Sequence, residues 1–116
     1  MKVYNYLIVL FCIVCGTACR STIYYWGSYE DNIYQAYTDP SEMTAQRQIE
    51  KMEADIEVAR SKNKSLPPGF HAHLGYQYFL VGKVDLARSE FILEKKKYPE
   101  SKVLMNRFIK MIEGDK

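Results

Sequence analysis

Residues 68–101 read PGFHAHLGYQYFLVGKVDLARSEFILEKKKYPES, and this stretch decides the fold. Phe70, Leu74, Tyr78 and Val81 recur at intervals of three and four, the period of one face of an α-helix. Gly82 stops that run, since glycine accepts the left-handed backbone at which helices commonly end. Val84, Ala87 and Phe91, with Leu93 nearby, mark a second helix that ends before Tyr98-Pro99, where proline cannot continue it. The spacing predicts a helical hairpin punctuated at both ends.

Helices are expected on either side. Leu104, Phe108, Ile109 and Ile112 mark a last one, from about Ser101 to Gly114. Upstream, Asp39-Pro40-Ser41-Glu42 reads as a helix start, with Asp39 as cap, Pro40 in the first turn and Glu42 in the capping-box position. Ala45, Ile49, Met52, Ile56 and Ala59 follow as one narrow apolar face, so this helix packs on one side only. A polar loop, residues 61–65, leads from it to Pro67-Pro68-Gly69. Over residues 30–37, Ile33, Tyr34 and Tyr37 suggest a short helix with these three as its apolar side. No alternation of period two stands out. The expected fold class is all-α.

Within the hairpin, Leu74-Gly75 followed by Tyr78, Ala87 followed by Phe91, and the closing Pro99 resemble the 34-residue tetratricopeptide unit, W-x2-L-G-x2-Y, A-x3-F and P. Gly82 falls at the inter-helix turn, His71 replaces the first aromatic, and Glu94 occupies a site where a small residue is usual. The resemblance implies that Gly75 lets the helices approach, with Ala87 facing it. Tyr78 and Phe91 would fill the gap between repeats, and Pro99 would stop the second helix. One repeat length earlier the chain reads Pro40-Ser41, which does not match, so a single unit is legible. Such units bury their faces only when stacked, about three being needed. The long upstream helix or a partner must therefore cover the hairpin.

At 116 residues the chain holds one small domain at most. Sixteen Lys+Arg against fourteen Asp+Glu leave a formal charge of +2, too balanced for a nucleic-acid binder working by bulk electrostatics. Hydrophobic residues at 47% and charged ones at 26% exclude disorder. The three cysteines, Cys12, Cys15 and Cys19, all lie ahead of the helical region, which leaves it without a disulfide framework or a cysteine-based metal site. Met1-Lys2, the apolar run over residues 6–14 and Gly16-Thr17-Ala18 give the three regions of a secretory signal. The run is far short of the roughly 20 residues that span a bilayer.

Cys19 directly after these small residues resembles a bacterial lipobox, although Gly16 stands where leucine is preferred and Cys15 precedes it. The resemblance implies a mature protein that begins at Cys19 and contacts the membrane through its acyl chains, two or more of which hold stably. An aspartate after the lipidated cysteine retains such proteins in the inner membrane. Arg20 stands there instead, which implies the outer membrane and its periplasmic face. The expected organisation is a signal-peptide helix over residues 1–18, a lipidated tether with an aromatic segment over 19–27, and the tetratricopeptide-like helical domain over 28–116 with its best repeat at 68–101.

Three segments, Tyr25-Trp26-Gly27-Ser28-Tyr29-Glu30, LPPGFHAHLG over 66–75 and EKKKYPES over 94–101, together resemble a family of small bacterial lipoproteins with no assigned function. Its members are similar to tetratricopeptide-type periplasmic lipoproteins and tend to be encoded beside a lipoprotein similar to the curli secretion channel. The resemblance implies an accessory of an outer-membrane lipoprotein assembly. It brings no catalytic residues and no cofactor.

His71 and His73, two apart on a helix, point about 200° around its axis and cannot share a metal. No Ser/His/Asp order, phosphate loop or HExxH pattern stands out. No catalytic site, metal, cofactor, small-molecule substrate or nucleic acid is expected. Lys95-Lys96-Lys97 falls in a last helical turn, where cations meet the negative dipole end, and is short for a membrane-facing patch. His73, Tyr76 and Leu80, flanked by Phe79, form a second stripe on the side that lines the concave groove in this kind of repeat. Tyr25, Trp26 and Tyr29 form an aromatic surface within reach of the lipid interface or the domain. Either these aromatics fill the groove or a partner segment does. The function expected is a non-enzymatic scaffold or assembly partner of another envelope lipoprotein. A periplasmic module binding a peptide or envelope polymer in the groove is the alternative.

Overall fold

The computed structural model describes Met1, Val3 and residues 22–114. Cys19, Arg20 and, but for Met1 and Val3, the expected signal peptide lie outside the described residues. Within residues 22–114 five α-helices follow one another: α1 (Tyr29–Thr38), α2 (Ala45–Ser61), α3 (Phe70–Leu80), α4 (Val84–Lys97) and α5 (Lys102–Gly114). A 3-10 turn, Pro99–Ser101, joins the last two. The described residues contain no strand, only an isolated bridge between Tyr24 and Ser65. The fold is all-α.

The turns explain why the chain doubles back. At the end of α3, Gly82 has φ +78°, its N–H reaches the Phe79 carbonyl at 3.0 Å, and Lys83 N–H reaches Tyr78 at 2.9 Å. At the end of α2, Asn63 takes the same role with φ +50°, donating to Arg60, while Lys64 N–H reaches Ala59, both at 3.0 Å. Both are Schellman closures, and asparagine is a side-chain-bearing residue that tolerates this backbone.

α3 and α4 pack as an antiparallel pair with little room between them. A Cβ on Gly75 would lie 2.7 Å from Cε1 of Phe91 and 3.1 Å from the Ala87 carbonyl oxygen. The core joins Ile49, Met52 and Ala59 of α2 to Phe70, Leu74 and Tyr78 of α3, Ala87 and Phe91 of α4, and Met105 and Ile112 of α5. Phe91 also meets Phe108 of α5, ring centroids 5.2 Å apart. Phe70 and Phe91 are fully buried, each contributing about 1.5–3 kcal/mol by removal from water.

Three expectations change. The first helical residue of α2 is Ala45, not one in the Asp39-Pro40-Ser41-Glu42 stretch, and its cap is Thr44, which accepts from Arg47 N–H at 3.3 Å. Asp39 Oδ1 instead accepts from Ser41 Oγ at 2.8 Å, and the Asp39 carbonyl closes a single turn with Met43 N–H, which carries the Met43 side chain inside. In α1 the buried residues are Tyr29 and Asn32, while Ile33, Tyr34 and Tyr37 are exposed. In α5 Leu104 is exposed and its neighbour Met105 is buried, because Met105 and Ile112, seven apart, share the face that meets α4.

Candidate functional site

The aromatic segment ahead of α1 lies on the helical domain. Tyr25 N–H donates to the Ser65 carbonyl at 2.8 Å, and the Tyr24 ring meets Tyr98 edge-on at 6.3 Å. The Tyr98 hydroxyl donates to the Leu66 carbonyl, and Lys62 Nζ stands 5.1 Å from the Tyr25 ring centroid. Gly27 adopts φ +50° beside the Asp55 carboxylate, where any Cβ would collide with Oδ1. This approach lets Ser28 donate to Asp55 Oδ2 through its N–H at 3.0 Å and its hydroxyl at 2.8 Å. Tyr29 then packs against Phe70 at 5.1 Å and His73 at 5.7 Å, between ring centroids. Burial, with Glu94 adding to it, raises the Tyr29 hydroxyl above its usual pKa.

The stripe expected on α3 divides. His73 is covered: Tyr29 meets it edge-on, and its Nε2 is 2.9 Å from Gln48 Oε1 of α2. Burial pushes its pKa below the usual value. Phe79 is half-buried, whereas Tyr76 is 42% and Leu80 53% exposed. The chain's own Tyr29 thus covers the His73 end of the stripe, and Tyr76 and Leu80 lie open at its other end. Trp26, 40% exposed, leans on Tyr29 at 6.5 Å, and Tyr25 is half-buried.

Of the repeat-like positions, Leu74, Gly75, Tyr78, Ala87 and Phe91 are buried. Gly82 and Pro99 are exposed at the ends of their helices. Tyr78 reaches α2, where its hydroxyl donates to Glu53, and burial together with that carboxylate raises its pKa strongly.

A cavity of about 260 Å³ opens beside His71. Ile56, Ala59, Leu66 and Leu93 line it apolarly, and Arg60, Lys64 and Lys97 bring cations to it. His71 is buried, with Nδ1 2.7 Å from Glu90 Oε2 and Nε2 3.3 Å from Lys97 Nζ. A proton on Nδ1 satisfies both contacts: the ring donates to the carboxylate and accepts from the ammonium. His73 faces Gln48 instead, so the two imidazoles serve different neighbours.

Sequence reasoning missed the two carboxylates that organise this region. Glu94 is 1% exposed and accepts from Gly69 N–H at 2.7 Å and Ala72 N–H at 3.4 Å, at the start of α3. Asp55 does the same for α1. The signal for Glu94 was an acid at a position where the 34-residue pattern has a small residue. For Asp55 it was an acid on the apolar stripe, three residues after Met52 and four before Ala59.

No curated protein and no solved structure matches the chain. A family model matches residues 23–108, taking in the aromatic segment and all the helices as far as the middle of α5, and by that match the chain belongs to the family described as Domain of unknown function (DUF4810).

Proposed function

We propose that this protein is a non-enzymatic, lipid-anchored component of the bacterial outer membrane that serves as scaffold or assembly partner of another envelope lipoprotein. The lipobox-like stretch ending in Cys19 supplies the anchor, and Arg20 favours the outer membrane. Residues 68–101 act as one tetratricopeptide-like unit. The fit of Gly75 against Ala87 and Phe91, the turn at Gly82 and the position of Pro99 just past α4 support that reading. The observation that carries the function is the exposure of Tyr76 and Leu80 on a helix whose other faces are packed. Tyrosine and leucine at such a place supply contact area for a protein partner. The buried titratable groups Asp55, His71 and Glu94 are all engaged within the chain, which favours contact over chemistry. Anchoring both partners in one membrane raises their effective concentration, so a weak contact is well occupied.

The test has two readouts. Intact mass of the membrane-extracted protein should show an acylated chain beginning at Cys19, and Cys19→Ser should lose both cleavage and acylation. Co-purification from gently solubilised envelopes with a curli-secretion-channel-like lipoprotein should fail for the Tyr76→Ser, Leu80→Ser double variant. The melting temperature should stay unchanged, both positions being exposed. Undiminished co-purification would remove this face as the contact.

A further inference from the structure

The fold gathers cations at the end of the domain from which the chain leads back to Cys19. Arg60 sits in the last turn of α2, Lys62 and Lys64 follow it, and Lys95, Lys96 and Lys97 close α4. Three of them, distant in sequence, meet in space. Arg60, Lys64 and Lys97 line the same cavity, Lys62 stands over Tyr25, and Lys64 Nζ donates to the Thr22 carbonyl at 3.3 Å.

Their contacts leave most of this charge uncompensated. Lys62, Lys64, Lys95 and Lys97 engage groups that carry no negative charge: a tyrosine ring, the Thr22 carbonyl, Asn106 Oδ1 and the His71 ring. Among the described residues only Arg60 of the six forms an ion pair, with Glu57, and that pair is exposed and weak. Arg47 and Arg88, towards the starts of α2 and α4, are each paired with a glutamate. Glu94 at this end is turned inward onto backbone N–H groups, which leaves Glu100 as the exposed acid of the adjoining turn. Helix dipoles account for cations in the last turns of α2 and α4, but Lys62 and Lys64 lie past the end of α2.

Covalent reach ties this end to a surface. Whatever the backbone between them, Cys19 and Thr22 are at most about 11 Å apart. An acylated Cys19 at a bilayer would therefore hold Thr22, and Lys64 bonded to it, close to a Debye length from the headgroups. Ile23 is 82% exposed, and the partly exposed Trp26 follows; both suit an interfacial position.

We propose that this end of the domain docks on anionic phospholipid headgroups, one phosphate seating between Arg60, Lys64 and Lys97, so that the acyl chains and the cations together fix the orientation of the domain. The docking rests on the lipid-anchor reading for its approach distance. α3 begins at this end, and at 1.5 Å per residue Leu80 is carried about 15 Å along it, clear of the headgroups. The lipid surface and the protein contact then occupy different ends of the molecule.

Trp26 is the single tryptophan of the chain and reports the docking directly. The full chain is reconstituted in vesicles of one part phosphatidylglycerol to three of phosphatidylcholine, and in vesicles of phosphatidylcholine alone, each carrying a headgroup spin label. Trp26 emission should be quenched in the first and far less in the second, and high salt should reverse the difference. Arg60→Gln, Lys64→Gln, Lys96→Gln together should weaken the docked state about 100-fold, each cation near an anionic surface contributing about fivefold. Lys97 stays, because it holds His71. Lys64→Arg, Lys96→Arg should dock like the parent, as should Arg47→Gln, Arg88→Gln. Equal quenching in the two lipids, or a triple variant that docks like the parent, overturns the proposal. An intact mass without acyl groups overturns the anchor reading alone, since both vesicle arms use the same chain and their difference still reports the cations.

Discussion

Glu94 and Asp55 each cap a helix to which they do not belong. α3 and α1 start beside glycines in left-handed conformations, Gly69 at φ +90° and Gly27 at φ +50°, and neither has a side-chain cap of its own. A helix N-terminus carries unpaired N–H groups and the positive end of the dipole, so a carboxylate brought from elsewhere satisfies both. Such long-range capping was only half legible in the sequence. Each acid stood out against its local pattern, but the contacts join residues 25 and 27 apart, and helical spacing carries no record of that pairing. Glu94→Ala should leave the Gly69 N–H without its acceptor and lower stability by about 1–3 kcal/mol in urea unfolding. Glu94→Gln retains an oxygen acceptor and should lose less. A Glu94→Ala chain as stable as the parent would mean that the α3 terminus does not need this carboxylate.

Pairs of helices are governed by how closely they approach, and Gly75 sets the limit for α3 and α4. The atoms facing it are the ring of the fully buried Phe91 and a backbone carbonyl, neither of which yields easily. Gly75→Ala and Ala87→Leu should each overpack the hairpin and cost about 1–3 kcal/mol, read as a lowered melting temperature. Leu86→Ala, at a position 47% exposed one residue away, should change stability by less than about 0.5 kcal/mol. The hairpin was legible because its helices are bounded by Gly82 and Pro99 and its buried positions follow the helical period. The roll of the outer helices was less so. Ile33, Tyr34 and Tyr37 mark a helix correctly but not its inner face, because the Ser28–Asp55 bonds and the Tyr29–Phe70 contact turn Tyr29 and Asn32 inward. In α5 one residue, Met105 for Leu104, corresponds to about a 100° rotation, and both side chains are apolar. At the start of α2 the capping signature over residues 39–42 was spent on a separate turn.

For the whole molecule the balanced charge of +2 conceals a basic end, and the segment leading from that end is bonded into the domain. Residues 22–28 join the loop after α2, the turn after α4 and the middle of α2 through Tyr25–Ser65, Tyr24–Tyr98 and Ser28–Asp55 contacts. The family match also begins within this segment, at residue 23. If the segment is part of the fold, a chain starting at Tyr29 should be less stable than one starting at Arg20 by at least about 2 kcal/mol. The largest share would come from the Asp55 carboxylate, 6% exposed, which would lose both of its Ser28 donors. Ser28→Ala, which removes the hydroxyl and keeps the N–H, should fall between the two chains. Trp26→Ala should cost little by comparison, its side chain being 40% exposed. The comparison is made by urea unfolding of the shortened chains side by side. Equal midpoints for the two starts would make the segment a tether that merely lies on the domain, and the exit point near Lys64 would then no longer be fixed.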